Sequence, residues 1–436
     1  MKFARRNLLK GAGLVAGLLP FGSFAAGAAL QAKETSSADV SDQDEPFKFV
    51  DWPQLRNEFD QDYSWLNFAG FLLASRPHLV ERDIDYHRRA LNRNPATYLR
   101  KGYEAEYEAR ALAGKYFGVS PRQVSLTANT TMGLAMLYNN ISIKPGQEIL
   151  STEHEHYSCI TSLKYRSERE GLKVNTIRLY EKPEDASAEE MLARLRRNIN
   201  ARTRVLALTW VHSGSSVKLP VAQVGKMVRE LNVGRAKDEQ ILYCVDGVHG
   251  FGVEDTNFEE MGCDFFVAGT HKWMFGPSGT GIMVSRELEP DTISPTIPPF
   301  NFTADPAFGA VMTPGGFHSF EHRWALRKAF EFHLAIGKDK VQSRIRYLNT
   351  YLKNQLNDMA GVELVTPMSE ELSAGFTFFR VSKVSAEDVE KSMNEHRIVV
   401  SAADRDAGPV VRMAPGLTNT TGEIDSAIKV LRKIAG

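Results

Sequence analysis

The chain has 436 residues, and its 53 lysines and arginines are balanced by 53 aspartates and glutamates. A net charge of zero provides no global field to recruit nucleic acid or a membrane surface. Three cysteines, an odd number, do not make a disulfide framework, and no Cys/His spacing has the form of a metal site.

Residues 1–28 stand apart from the rest. Arg5-Arg6 precede Asn7-Leu8-Leu9-Lys10 and a short, weakly apolar stretch that ends in small residues at Ala26-Gly27-Ala28. This is the layout of a signal read by the twin-arginine export machinery. The apolar run is too short and too glycine-rich to anchor in a bilayer, so the mature form is expected in the periplasm without a membrane anchor. Export of an already folded chain suits a protein that takes up a cofactor in the cytosol. Residues 29–46 are polar and read as a loose linker. About 400 residues remain, enough for a large and a smaller domain at roughly 100–200 residues each. The expected division is 47–310 and 311–436.

From about residue 122, apolar runs alternate with helical patterns. Strands are expected at 124–127, 148–151, 174–179, 205–210, 241–245 and 265–268, with helices at 130–142, 156–170, 188–199 and 221–232. This rhythm predicts an α/β domain around a mainly parallel sheet. Beyond about 325 follow a long helix (325–359), a strand at 375–381, a helix at 386–396, a strand pair and a helix from 422. That part reads as a smaller α+β domain.

Ligands of open α/β sheets bind at the carboxyl ends of the strands. The groups there are Asn129-Thr130-Thr131, 153–158, 212–216, 246–249 and 270–272, all rich in polar side chains. Two of them form a pair with a specific chemistry. Asp246 ends the apolar run in ILYCVDGVHGFG (241–252), and Lys272 follows the next run in DFFVAGTHKWMFGPSGTGIMV (264–284). A strand-end aspartate followed by a lysine at the next strand end is what pyridoxal 5'-phosphate requires. The lysine amine bonds the cofactor aldehyde, and the aspartate keeps the pyridine nitrogen protonated so that the ring accepts electrons. The N–H groups opening the helix at Asn129-Thr130-Thr131 suit a phosphate.

These groups, in this order, resemble the class V aminotransferase family of fold-type I pyridoxal phosphate enzymes. That family includes cysteine desulfurases, isopenicillin N epimerase-like enzymes and exported siderophore-tailoring enzymes. The resemblance runs from about Asn67 to the C-terminus. It implies a mainly parallel seven-stranded sheet, Lys272 as the cofactor-bonding lysine and Asp246 as the pyridine partner. In STEHEHYS (151–158) it implies a side chain stacked on the cofactor ring; the spacing favours His156, with His154 as the competitor. It further implies Thr130, Thr131 and Thr270 near the phosphate, and His249 and His271 lining the pocket. In VVRMAPGLTNTTGEID (410–425), Arg412 matches the arginine that holds the substrate α-carboxylate, where a planar fork fits as an ammonium does not. Family members build each site at a homodimer interface.

Two departures narrow the chemistry. No cysteine follows Cys263, which excludes desulfuration through a persulfide on a loop after the lysine. The stretch MTPGGFHSFEHRWAL (312–326) lacks the Gly-Thr with which the family reaches the partner subunit's phosphate. Gly315-Gly316 and His318 stand there instead, and His318, His322 and Arg323 could shape a substrate pocket. The expected activity is on the amino group of a small-molecule or peptidyl amino acid, with transamination first. Epimerisation and oxidative decarboxylation of an exported peptide such as a siderophore precursor come next. A non-catalytic periplasmic binding protein explains export and the polar strand ends but not Lys272 after Asp246.

Overall fold

The computed structural model describes residues 47–300 and 304–436. The expected signal (1–28) and linker (29–46) lie outside the described residues. In chain order the strands are β1 (Leu66–Asn67), β2 (Val124–Thr127), β3 (Glu148–Thr152), β4 (Lys173–Ile177), β5 (Thr203–Thr209), β6 (Leu242–Asp246) and β7 (Phe265–Gly269). There follow β8 (Gly281–Ser285), β9 (Val362–Leu364), β10 (Thr377–Val381), β11 (Ile398–Val399), β12 (Ser401–Arg405) and β13 (Gly408–Met413).

Seven strands form the principal sheet in the order β2-β8-β7-β6-β5-β3-β4. Strands β4, β3, β5, β6 and β7 run parallel, and β8 is antiparallel to both β7 and β2. The parallel strands β3, β5, β6 and β7 are buried along their whole length, and the last three carry the apolar runs VLAL, LYCV and FFVA that suit a sheet with helices on both faces. The fold is therefore the expected α/β class. Strand β8, GIMVS, was not expected from the sequence. Gly279, at φ 80°, makes the turn before it. Lys272 thus sits on a short connection between two paired strands.

A second sheet, β12-β13-β10-β9, is antiparallel throughout. Three helices pack on its core: Lys338–Asn357, Ala386–Glu395 and Thr421–Ala435, the last with a Thr420–Glu423 capping box. Phe68 enters this core from the other end of the chain, and β1 pairs with β11. The expected single helix 325–359 is two, Phe320–Ile336 and Lys338–Asn357. Gly337, at φ 97°, breaks the helical path between them. The first of the two buries Ala325, Leu326, Phe330 and Phe332 in the large cluster beneath the principal sheet. It also packs on helix Pro95–Phe117, where Gly102 leaves room for the Trp324 indole.

Candidate active site

Asp246 is the last residue of β6 and is 1% exposed. Its Oδ1 accepts the Val248 N–H at 3.1 Å. Burial raises the carboxyl to about 6, against the pull of that N–H and of the Lys272 charge. Among the described residues Asp246 forms no ion pair. A buried carboxylate without a cation fits a protonated pyridine nitrogen.

Lys272 lies at the end of β7, on a connection fixed from several sides. Phe275 N–H donates to its carbonyl at 3.1 Å, and Gly276 N–H to that of Thr270 at 2.8 Å. From helix Phe320–Ile336, His333 Nε2 donates to the Trp273 carbonyl at 2.9 Å. The Lys272 amine stands 3.1 Å from His249 Nε2, while Trp273 Nε1 donates to His249 Nδ1 at 3.4 Å. Since the indole N–H only donates, the hydrogen of a neutral His249 lies on Nε2, where the Lys272 amine accepts it in its uncharged form. Burial draws the amine down to about 8, with Asp246 opposing and Arg412 and Arg405 reinforcing. Burial and the Lys272 charge also hold His249 well below its ordinary value.

His156 and His154 are separated by the structure. His156 caps helix Tyr157–Glu170 and is half-buried, with Nδ1 2.7 Å from Ser158 Oγ. Burial, then Arg405, Lys272 and Arg412, lower it to about 4, so it is a neutral ring among cations. His154 is 2% exposed and engaged elsewhere. Its Nδ1 meets Asp406 Oδ2 at 2.6 Å, its Nε2 accepts Leu179 N–H at 2.9 Å, and its ring stacks on Tyr180 with centroids 3.9 Å apart.

At the helix that follows β2, Asn129 Oδ1 accepts Met132 N–H at 2.8 Å, and Thr130 Oγ1 accepts Gly269 N–H at 2.8 Å. That second bond ties the helix start to the end of β7. Thr131 is exposed beside it. Thr270 is fully buried, and its hydroxyl is engaged with the Thr280 hydroxyl and carbonyl inside the β7–β8 connection. His271 is half-buried, and its ring flanks Gly269 together with Thr130.

Arg412, on β13, is 6% exposed. Its Nη2 donates to Ser401 Oγ at 2.7 Å, its Cζ lies 5.1 Å from the Phe71 ring centroid, and its Nε has no partner. Among the described residues it pairs with no carboxylate. Burial and the Arg405 charge lower it to about 10.

Two contributors, Phe71 and Arg405, were not singled out from the sequence, while Ser213 belongs to the strand-end group 212–216. Phe71 lies between His249 and Arg412, its ring centroid 6.4 Å from that of His249. With Asn67, Trp273, Leu417 and Asn419 it lines a cleft that reaches Lys272. Ser213 and Arg405 meet beside His156. The first fifty residues of the fold show no strand–helix rhythm to flag Phe71, and Arg405 sits between two aspartates like any solvated turn residue.

The Aminotransferase class-V family profile matches residues 85–421, and the chain belongs to that family. It is an enzyme of pyridoxal phosphate chemistry. It is 26% identical to isopenicillin N epimerase of Streptomyces clavuligerus, over 89% of this chain and 99% of that protein. It is 22% identical to a cysteine desulfurase of Serratia proteamaculans, over 88% and 96%. In fold it is similar to a cysteine desulfurase from Thermococcus onnurineus NA1, with a TM-score of 0.77 at 18% identity, over 89% and 99% of the two chains.

Proposed function

We propose that this chain is an exported, homodimeric pyridoxal phosphate enzyme that transaminates an amino acid or peptidyl amino acid. The observation that carries the reading is Arg412, a buried arginine without a carboxylate whose charge acts on both Lys272 and His156. An unpaired buried guanidinium is costly, and an α-carboxylate supplies a bidentate partner. Bound pyridoxal phosphate makes the bonds at the substrate α-carbon labile by accepting their electrons. Asp246 would hold the proton on the ring nitrogen. His156, uncharged, would offer a flat face to the ring. Lys272, with an amine near neutrality, takes the α-proton and returns it. His249 orients that amine from 3.1 Å.

All three cysteines are fully buried, and burial raises each thiol above its ordinary value. None is placed as a nucleophile, so sulfur transfer is not the proposed chemistry. Epimerisation is the second reading. It is favoured by two relatives named isopenicillin N epimerase, from Streptomyces clavuligerus and Amycolatopsis lactamdurans.

One experiment separates the readings. The loaded enzyme is incubated in deuterated water with amino acids and N-terminal peptides, and the products are resolved by mass and by chirality. Transamination gives an oxo acid and an aminated cofactor; epimerisation gives deuterated substrate of inverted configuration. Turnover that releases carbon dioxide would replace both with decarboxylation.

A further inference from the structure

One cation near Lys272 has no role in this scheme. Arg405 ends β12 and is exposed. Its Nη1 donates to Ser213 Oγ at 3.2 Å, and its Cζ lies 5.9 Å from the Tyr157 ring centroid. Among the described residues no carboxylate pairs with it. Asp404 neighbours it in sequence, but successive strand residues point to opposite faces. Asp406 is committed: its carboxylate holds His154 Nδ1 at 2.6 Å and Arg178 Nη2 at 2.9 Å.

The hairpin that carries Arg405 is clamped to the strand ends of the principal sheet. Ala407 N–H donates to the Gly214 carbonyl at 3.1 Å. A Cβ on Gly214 would lie 3.1 Å from Asp406 Cβ and 3.3 Å from Arg405 Cβ, so the loop and the hairpin fit closely. Arg405 is therefore held at the mouth of the site by its own element. Its charge reaches Lys272, His156, His249 and Arg412 alike.

The strand register relates the two arginines. Ser401 is the cross-strand partner of Arg412, and Arg405 lies four residues along the same strand. With a side-chain period of two, Arg405 and Arg412 are on one face of the sheet, roughly 13 Å apart along it. One α-carboxylate satisfies one fork, which leaves the second fork for another anion.

We propose that Arg405 is a second anion-binding residue of this site, and that the substrate carries a second carboxylate several bonds from its α-carbon. This rests on Arg412 holding the α-carboxylate. The substrate class is then an acidic amino acid with a long or acylated side chain, or a peptidyl amino acid with a distal carboxylate.

The test uses the cofactor-loaded enzyme and titration calorimetry with two series of probes, acetate to hexanoate and succinate to pimelate. The wild type should bind its best dicarboxylate roughly tenfold to a hundredfold tighter than the monocarboxylate of equal length, the range of one added charge-assisted contact. Arg405→Gln should bring that ratio to about one while leaving monocarboxylate affinity in place, and Arg405→Lys should restore part of it. The proposal is overturned if the wild type shows no preference for dicarboxylates. It is equally overturned if Arg405→Gln leaves the ratio unchanged, or weakens both series or cofactor retention alike. Failure of the α-carboxylate reading is visible separately: Arg412→Gln would then bind monocarboxylates like the wild type.

Discussion

The Lys272 amine and the His249 imidazole face each other at 3.1 Å with no carboxylate bridging them, so the pair sheds protons more readily than two free cations would. That arrangement prepares Lys272 to attack an aldehyde near neutral pH. Lys272→Ala should abolish borohydride-trappable cofactor and lower turnover on the order of 10³-fold or more, with unchanged circular dichroism. Trapped cofactor in the variant would identify another lysine. A second consequence of burial lies one layer deeper. Glu155 is 6% exposed and accepts the hydroxyls of Thr152 and Thr209. Burial raises it from 4.5 to about 7, opposed by those hydroxyls. The folded chain therefore keeps a proton that the unfolded chain gives up first. The stability that this proton provides is complete below pH 4.5 and is lost as pH rises through 7, a loss of about 3 kcal/mol. Glu155→Gln removes the titration. Urea unfolding of the cofactor-free protein at pH 4.5 and pH 8 should show the wild type losing about 3 kcal/mol more than the variant; parallel losses would remove Glu155 as the source.

The large sheet was legible because all its strands but the edge strand β4 are fully buried, and apolar runs such as VLAL in β5 signal that directly. What escaped was set by geometry rather than composition. Strand β8 follows so closely on the glycines of the β7–β8 connection that its apolar run reads as part of the turn. The break at Gly337 was hidden by helical patterns that continue on both sides of one residue. Asp246 and Lys272 were legible as strand-end chemistry, and Arg412 only through its resemblance to the family's carboxylate-binding arginine. Arg405 and Phe71 were not, because their positions come from a hairpin clamp and an N-terminal segment that only tertiary contacts bring to the site. The helix break gives a prediction at this scale. Gly337 has φ 97°, and a Cβ there would lie 2.7 Å from Asp339 Oδ1. Gly337→Ala should cost about 1–3 kcal/mol and lower the thermal midpoint while leaving cofactor absorbance intact. An unchanged midpoint would mean that the two helices join without this conformation.

For the whole molecule, the proposed route and the proposed assembly are linked by the cofactor. No helix among the described residues is long and apolar enough to cross a membrane. Replacement of Arg5 and Arg6 by lysine should keep the protein in the cytosol with its signal uncleaved; efficient export of the double variant would point to the general secretion route. A chain exported folded would cross with its cofactor already held, and in the proposed dimer the partner would help to hold it. The stretch 312–318 is where that partner is expected. Gly315 is a poor place to test it, since a Cβ would lie 2.6 Å from the Phe300 ring of the same chain. Phe317 is the better probe, because its ring is 82% exposed and packs edge-on against Phe320. A phenylalanine that passes from solvent into an interface contributes about 1.5–3 kcal/mol. A two-fold axis repeats the contact, so Phe317→Asp should raise the dimer dissociation constant on the order of 10²–10⁴-fold. Light scattering at micromolar concentration should then find a dimer for the wild type and a monomer for the variant, with cofactor lost alongside. A wild-type monomer that keeps its cofactor would overturn the shared site, and would leave the roles of Lys272 and Asp246 standing on their own geometry.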